Sequence, residues 1–187
     1  MFRDVGLCSL NLNWMSAVTL TQDLDGYLLL EDGALWRGSL AGAKVAAAGE
    51  VVFTTNLTGY QEVLTDPSFA GQVVVMTSPM VGNYGITPLD EQASKPWVSG
   101  FVVRELSRVS SGWRATGQLD SYLVEHGISV LVGADTRAIT RHVRERGAMR
   151  SLIAPSTLSV EEATEWLTGH PCMEGLDLAS VVSTREP

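Results

Sequence analysis

Three short runs of apolar residues constrain the fold of this chain most strongly. They span residues 49–55, 72–77 and 98–106, and each has the length of one β-strand. Their apolar residues follow one another almost continuously, whereas a strand with one solvated face alternates apolar and polar side chains. Several strands are therefore expected to be covered on both faces.

Turn and capping signals predict the elements around these runs. Apolar residues on either side of Asp32-Gly33 predict a hairpin over 27–38, because Asp-Gly favours a tight turn. The apolar residues at 119, 122 and 123 have helical spacing, and Gly127 is placed to end that helix.

The second half of the sequence alternates strands with helices. Asp135 has the position of a helix N-cap, and Ser159 with Glu162 forms a capping box. Because strands dominate the first half and helices join them later, the pattern indicates a layered α/β domain with a mixed sheet. The predicted elements are a strand over 128–132, a helix from Asp135 through Arg146 ended by Gly147, a strand over 149–154 and a helix from Ser159 to about Gly169.

Composition and patterning divide the chain into three parts. Polar residues interrupt residues 1–20, which are predicted to be a loosely structured extension without the features of a secretory signal. Residues 21–170 are predicted to be the folded domain. Residues 171–187 are polar and irregular, and are predicted to be the start of a linker.

Charge and cysteine content exclude several classes of protein. The 187 residues include 13 Lys and Arg against 21 Asp and Glu, giving a formal net charge of −8. A general binder of nucleic acid or of anionic membranes is therefore not expected, and the apolar runs are too short to span a bilayer. Two cysteines, Cys8 and Cys172, cannot form a disulfide framework or a four-ligand zinc site, so a reducing, cytoplasmic location is expected.

Catalytic and metal-binding signals are weak. Cys172 lies two residues after His170, but no orienting group or oxyanion pocket accompanies the pair, so an inert thiol is expected. The spacing of His126, His142 and His170 matches no metal-binding pattern, and no glycine-rich phosphate-binding loop is present.

One predicted helix carries a concentration of arginine. Arg137, Arg141 and Arg144 stand at positions i, i+4 and i+7, which share a helical face. Two interpretations explain this pattern equally well. One is a solvated charged face, and the other is a surface that docks on an acidic partner through bidentate carboxylate contacts.

A polar, turn-rich segment over 58–69 lies between two apolar strands. Asp66-Pro67 favours a turn, which would present the hydroxyl of Ser68 from a fixed backbone. A structural turn and a ligand-binding loop are equally compatible with these residues.

Two pieces of the segment 58–69 and six other pieces resemble the small subunit of glutamine-dependent carbamoyl-phosphate synthetase, specifically its N-terminal domain. They occur in the expected order and spacing, and the resemblance runs from about residue 17 to residue 182. The pieces are LEDG at 30–33, GEVVF at 49–53, TGYQE at 58–62, LTDPSF at 64–69, GNYG at 82–85, DTR at 135–137, ITR at 139–141 and GLDL at 175–178.

The resemblance implies a three-layer β/β/α fold of the swivelling-domain type with a mixed sheet. It also implies that a class I amidotransferase domain with Cys–His–Glu machinery follows in the complete subunit and hydrolyses glutamine. A large subunit then uses the ammonia with bicarbonate, ATP and Mg to make carbamoyl phosphate for pyrimidine or arginine biosynthesis.

Applied to this chain, the family implies no catalytic residue, metal or cofactor within it, and no activity in isolation. The serine of Asp-Pro-Ser, here Ser68, is the residue that the family places at the glutamine. Docking on the large subunit gives Arg137, Arg141 and Arg144 a role. The expected partners are the large subunit, the glutaminase domain and glutamine.

Two other functions are alternatives to the role of an enzyme subunit. A free-standing adaptor of the same fold without a glutaminase stays open. A swivelling phosphohistidine carrier fits the fold type, but none of the three histidines lies in a glycine- or serine-rich loop with an acceptor role.

Overall fold

The computed structural model describes residues 25–183, and within them seven strands close into a barrel. The strand order around the barrel is β1-β2-β6-β5-β4-β3-β7. The strands are β1 (Gly26–Leu30), β2 (Leu35–Gly42), β3 (Ala47–Thr54), β4 (Gln72–Met76), β5 (Gly100–Val103), β6 (Ser129–Val132) and β7 (Met149–Pro155).

The sheet is mixed, as the sequence predicts, but the three-layer β/β/α arrangement is wrong. Strands β3, β4, β5 and β6 are parallel neighbours, and the other pairings are antiparallel. Strand β1 pairs with both β2 and β7, so no edge of the sheet stays open. Strands covered on both faces suit a barrel as well as a stack of layers, so the apolar runs could not distinguish the two.

The barrel interior is a filled apolar core to which every strand contributes. A Cβ built at Gly100 of β5 would lie 2.9 Å from Cδ1 of Ile153, although β7 is not a neighbour of β5. The barrel is therefore narrow enough for side chains to meet across it. The strand residues of this cluster are Leu28, Leu30, Leu40, Val51, Val73, Val75, Val102, Leu131 and Ile153.

The helices cover the barrel on its outside and at one end. Helices α1 and α2 pack on the outer faces of the parallel strands, and α4 packs on β1 and β7. Helix α3 contributes Ile139 and Val143 to the interior cluster and so closes the end of the barrel where β3 and β4 finish. The helices are α1 (Tyr60–Thr65), α2 (Leu119–Glu125), α3 (Thr136–Arg146), α4 (Val160–Gly169) and α5 (Leu178–Val182).

The capping predictions are confirmed. The Asp135 carboxylate accepts from the N–H of Ala138 at 2.9 Å, and Ser159 and Glu162 form the reciprocal capping box. Gly127 and Gly147 follow α2 and α3 with φ values of 70° and 93°, which glycine adopts without the strain other residues incur.

Three local predictions need correction. The segment 58–69 is not a loop throughout, because α1 occupies its first half. The strand predicted over 98–106 is limited to 100–103. The C-terminal segment is not wholly irregular, since α5 forms there. The predicted extension over residues 1–20 lies outside the described residues.

Among the described residues, no helix combines the length and apolar character needed to cross a membrane.

Candidate functional site

Ser68 lies on a rigid bend that leaves its hydroxyl exposed. Residues 67–69 form one turn of 3-10 helix, and the Asp66 carboxylate accepts from the N–H of Ser68 at 2.8 Å. Within residues 25–183 no protein group hydrogen-bonds to the Ser68 hydroxyl, and the residue is exposed. The predicted Asp-Pro turn is therefore confirmed, and its hydroxyl is free to contact a ligand.

Buried polar contacts hold the helix before this bend. The Gln61 side chain, fully buried, donates to the carbonyl of Thr87 at 2.8 Å and accepts from its N–H at 2.9 Å. The Tyr60 hydroxyl donates to the carbonyl of Gly85 at 2.6 Å. The Thr65 hydroxyl accepts from the N–H of Gln92 at 2.9 Å. These polar residues of the 58–69 segment position the bend rather than contact a ligand.

Two stacked tyrosines lie beside α1. The rings of Tyr60 and Tyr84 stack with 4.2 Å between centroids, and burial raises the pKa of both phenols. Both hydroxyls therefore stay protonated at neutral pH. That of Tyr84 accepts from the backbone N–H groups of Gly59 at 2.7 Å and Tyr60 at 3.1 Å, which fixes the start of α1.

The chain that leaves α4 passes close to the bend. A Cβ at Gly71, three residues after Ser68, would lie 4.0 Å from Cε of Met173. The Arg150 guanidinium holds this segment by donating to the carbonyls of Thr168 at 3.1 Å and His170 at 3.0 Å. The segment that leads out of the described domain thus lies beside the Ser68 bend.

The ion pair of Arg150 makes this anchor sensitive to pH. Arg150 donates to Glu31 at 2.7 Å, and its side-chain and backbone hydrogen bonds hold the pKa of Glu31 below the usual 4.5. A carboxyl group whose pKa is lowered by folding adds stability at pH values above its usual pKa. This stability is lost as the pH falls through the lowered pKa.

We expect Glu31→Gln to flatten the acid side of the stability profile. Because the Glu31 side chain is 44% exposed, the loss at neutral pH should be at most about 1 kcal/mol. Urea unfolding between about pH 3 and pH 7 measures it, with Glu165→Gln on the exposed face of α4 as the matched control. An identical slope for Glu31→Gln and the native chain would contradict the role of this pair.

Three arginines line a groove at the C-terminal end of β4, opposite to the end that Ser68 precedes. Arg137, Arg141 and Arg144 of α3, with Thr77 just after β4, border a space of about 410 Å³. In the described part of the chain no ion pair joins these guanidinium groups to a carboxylate. The shared face predicted from their spacing is confirmed, and its donors suit carboxylate or phosphate groups.

The Glu62 cavity, of about 300 Å³, lies beside the start of α1. Oxygen Oε2 of Glu62 is buried there, and no group within residues 25–183 hydrogen-bonds to it. No local sequence pattern indicates this site, because its walls come from segments that are distant in the chain. The lining residues are Thr58, Gly59, Glu62, Tyr84, Thr87, Asp90, Gly112, Trp113, Arg114 and Ala115.

The cysteine and histidines form no catalytic or metal site in the described residues. Cys172 is exposed, and no hydrogen bond joins its thiol to the His170 ring. His142 contacts Asp32 at 2.6 Å, and His126 contacts the carbonyl of Tyr122 at 2.9 Å. No group of three His, Cys, Asp or Glu side chains within residues 25–183 is placed to hold a metal ion. Cys8 lies outside the described residues.

Comparison with known proteins identifies the family. Residues 28–153 match the model of the carbamoyl-phosphate synthase small chain, CPSase domain. Proteins named carbamoyl phosphate synthase small chain are similar to this chain: that of Chlorobaculum tepidum is 47% identical over 88% of this chain and 45% of its own length. The small chain of Synechococcus sp. is 44% identical over 100% of this chain and 46% of its own length. The small chain of Streptomyces coelicolor is 50% identical over 85% of this chain and 42% of its own length.

The chain spans less than half the length of these relatives. An aminopeptidase from Aneurinibacillus sp. strain AM-1 is 12% identical, covers 70% of this chain and 30% of its own, and has a TM-score of 0.41, too low to inform the fold. The family model covers most of the barrel, and its match confirms the resemblance carried by the eight sequence pieces: the chain belongs to the carbamoyl-phosphate synthase small chain family.

Proposed function

We propose that this chain is the N-terminal part of the glutamine amidotransferase subunit of carbamoyl-phosphate synthase. In that role it completes a glutamine site whose reactive residues lie on a glutaminase domain. The ammonia released there serves carbamoyl phosphate synthesis on a large subunit, which uses ATP, Mg and bicarbonate. The match of the chain to the first half of the family's sequence pattern supports this assignment.

The exposed hydroxyl of Ser68 is the main observation that supports the proposal. Its hydroxyl is exposed and has no partner in the described part of the chain, while its backbone is fixed by the Asp66 carboxylate. Such a hydroxyl can donate to or accept from the charged amino-acid head group of glutamine. The segment around Met173 leads away from the domain next to this bend, so a following domain would be anchored near it.

The isolated chain is inactive under this proposal. Cys172 is exposed, and in the described residues no hydrogen bond joins its thiol to the ring of His170, the histidine nearest to it in the sequence. A Cys–His pair acts as nucleophile and base only when the two side chains are within hydrogen-bond reach. The Arg137, Arg141 and Arg144 face would dock on the large subunit, at the end of β4 opposite to Ser68.

The proposal predicts a loss of glutamine-dependent activity in Ser68→Ala. The variant is made in a small subunit that includes the glutaminase domain and is assembled with its large subunit. Loss of one hydrogen bond to a charged group costs about 1.5–3 kcal/mol, so kcat/KM for glutamine should fall roughly 10- to 150-fold. Activity with free ammonia should not change, because the large subunit alone uses it.

Ser111→Ala is the matched control, since Ser111 is also an exposed serine on a loop. It should leave both activities unaltered. Purified residues 1–187 should release no ammonia from glutamine. An unchanged kcat/KM for glutamine in Ser68→Ala would refute the placement of this hydroxyl at the substrate.

A further inference from the structure

Hydrogen bonds join the loops that follow β3 and β4. The Ser78 hydroxyl, in the loop after β4, lies 3.3 Å from the carbonyl oxygen of Leu57, in the loop after β3. The same hydroxyl lies 3.2 Å from the carbonyl oxygen of Met80. Leu57 and Met80 are therefore neighbours on one surface, although they are distant in the chain.

The loop after β5 extends this surface. Its Ser107 N–H donates to the carbonyl of Val81 at 2.8 Å, which joins it to the loop after β4. Its Arg104 guanidinium donates to the carbonyl of Gly133, just after β6, at 3.1 Å. The loops at the ends of the four parallel strands thus form one continuous surface, called here the barrel-end surface. It comprises residues 55–58, 77–81, 104–109 and 133–134.

Three large apolar side chains are exposed on the barrel-end surface. Leu57 is 78% exposed, Val109 70% and Met80 41%. Met80 and Val109 border the same groove, and Leu57 shares the Ser78 contact with Met80. Single exposed apolar side chains occur on any protein surface, but a cluster of them is typical of a protein interface.

The surroundings of this apolar cluster are basic. The groove beside it is lined by Arg104, Glu105 and Arg108, and Thr77, just after β4, borders the groove of the α3 arginines. Together the two grooves are lined by five arginines and one glutamate. No ion pair within residues 25–183 joins any of these arginines to a carboxylate. In a chain with a net charge of −8, such a surface favours an acidic partner.

The basic charge and the position of the surface select among the possible occupants. Two copies of the chain related by two-fold symmetry would bring the same patch of each copy together, so arginines would face arginines. The segment that leads out of the described domain lies at the other end of β4, where Met173 approaches Gly71. A separate, acidic subunit therefore suits the surface better than a second copy or the continuation of this chain.

We infer that Leu57, Met80 and Val109 form the apolar centre of the surface on which the large subunit docks, and that Arg108 extends its basic rim beyond the α3 arginines. The inference rests on the proposed function, which supplies the large subunit as the partner. It adds an apolar contact to a role that the proposed function gives to arginines alone. Apolar centres surrounded by a charged rim are the usual arrangement in protein interfaces, where the rim excludes water from the centre.

The double substitution Leu57→Ala and Val109→Ala tests the apolar centre. It is made in a small subunit that includes the glutaminase domain, and the Kd for the large subunit is measured at low and at high salt. We expect Kd to rise at least tenfold and by the same factor at both salt concentrations, because no charge is removed. Arg108→Gln should instead raise Kd more at low salt than at high salt.

The matched control combines Val45→Ala with Val124→Ala. These side chains are 53% and 54% exposed, and they lie near the start of β6, where the Val45 N–H donates to the Ser129 hydroxyl at 2.9 Å. The control pair removes a comparable apolar area at the opposite end of the parallel strands and should leave Kd unchanged. Urea unfolding of residues 1–187 with either pair should show no loss of stability.

Several results would overturn the inference. An unchanged Kd for the Leu57 and Val109 pair, together with a loss for Arg141→Glu and Arg144→Glu, would exclude the apolar centre and leave the proposed arginine face standing. If neither pair weakened a complex that still forms, the large subunit would dock elsewhere and both assignments would fail. Self-association of the small subunit that is lost in the Leu57 and Val109 pair, with unchanged binding of the large subunit, would assign the surface to a second copy.

The remaining outcomes are equally decisive. An equal rise in Kd for the control pair would show that binding does not depend on this surface in particular. Failure of the native subunits to form any complex would refute the proposed function and, with it, this inference.

Discussion

Leu131→Ala should lower the free energy of unfolding by about 2–5 kcal/mol, because it removes a fully buried side chain from the barrel interior. Seven strands surround this core, so the backbone cannot collapse easily into the space that is left. Domains of this size are stable by about 5–15 kcal/mol, and the loss is therefore a large share of the total. Urea unfolding at neutral pH measures it.

The matched control is Leu57→Ala, which shortens a side chain that is 78% exposed. It should change the free energy of unfolding by no more than about 0.5 kcal/mol. Similar small effects of both substitutions would mean that position 131 is not enclosed.

Barrel closure itself can be tested across the interior. A Cβ at Gly100 would contact Cδ1 of Ile153, although two strands separate β5 from β7 in the order of the sheet. The Gly100→Ala substitution should therefore destabilise the native chain more than it destabilises the Ile153→Val variant, which lacks Cδ1 at position 153. A coupling of about 0.5 kcal/mol or more indicates contact, and strictly additive effects would contradict it.

Local signals in the sequence located most of the secondary structure. Asp135 and Ser159 cap helices through contacts within three residues, and Gly33 has the positive φ of 85° that the hairpin turn needs. Such contacts depend on neighbours in the chain, so the sequence displays them directly.

Closure of the sheet was not predictable in the same way. It depends on the pairing of β1 with β7, in which Tyr27 lies opposite Ala154. Apolar residues at most positions of a strand show that both faces are buried, but they do not show whether a second sheet or the opposite wall of a barrel covers them. The family resemblance supplied the wrong arrangement of layers for the same strands.

The candidate sites also differ in whether local sequence patterns or distant contacts determine them. The bend at Ser68 and the face of Arg141 and Arg144 follow from turn chemistry and helical spacing, and both were predicted. Helix α1 was missed because Gln61 and its neighbours are polar, and their burial depends on partners more than 20 residues away. The Glu62 cavity combines three separate segments, so no local pattern indicates it.

The two surfaces of the proposed function lie at opposite ends of β4. Ser68 precedes this strand and Thr77 follows it, and five residues of strand span about 17 Å. Ser68 and the groove at Thr77 are therefore two separate surfaces of the domain. The unpaired arginines of that groove contrast with the net charge of −8 of the whole chain, which favours an acidic partner surface there.

Charge reversal in the groove should have the largest functional effect. In the assembled enzyme, Arg141→Glu combined with Arg144→Glu should weaken large-subunit binding by about 2–5 kcal/mol at low salt, roughly 30- to 4,000-fold, because like charges replace attractive contacts. Calorimetric titration at two salt concentrations should show the loss shrinking as salt rises. The control pair Arg37→Glu with Arg146→Glu changes the net charge equally, but neither residue lines the groove. Equal losses for both pairs would indicate a general charge effect, and unaltered affinity of the groove variant at low salt would show that α3 presents a solvated face.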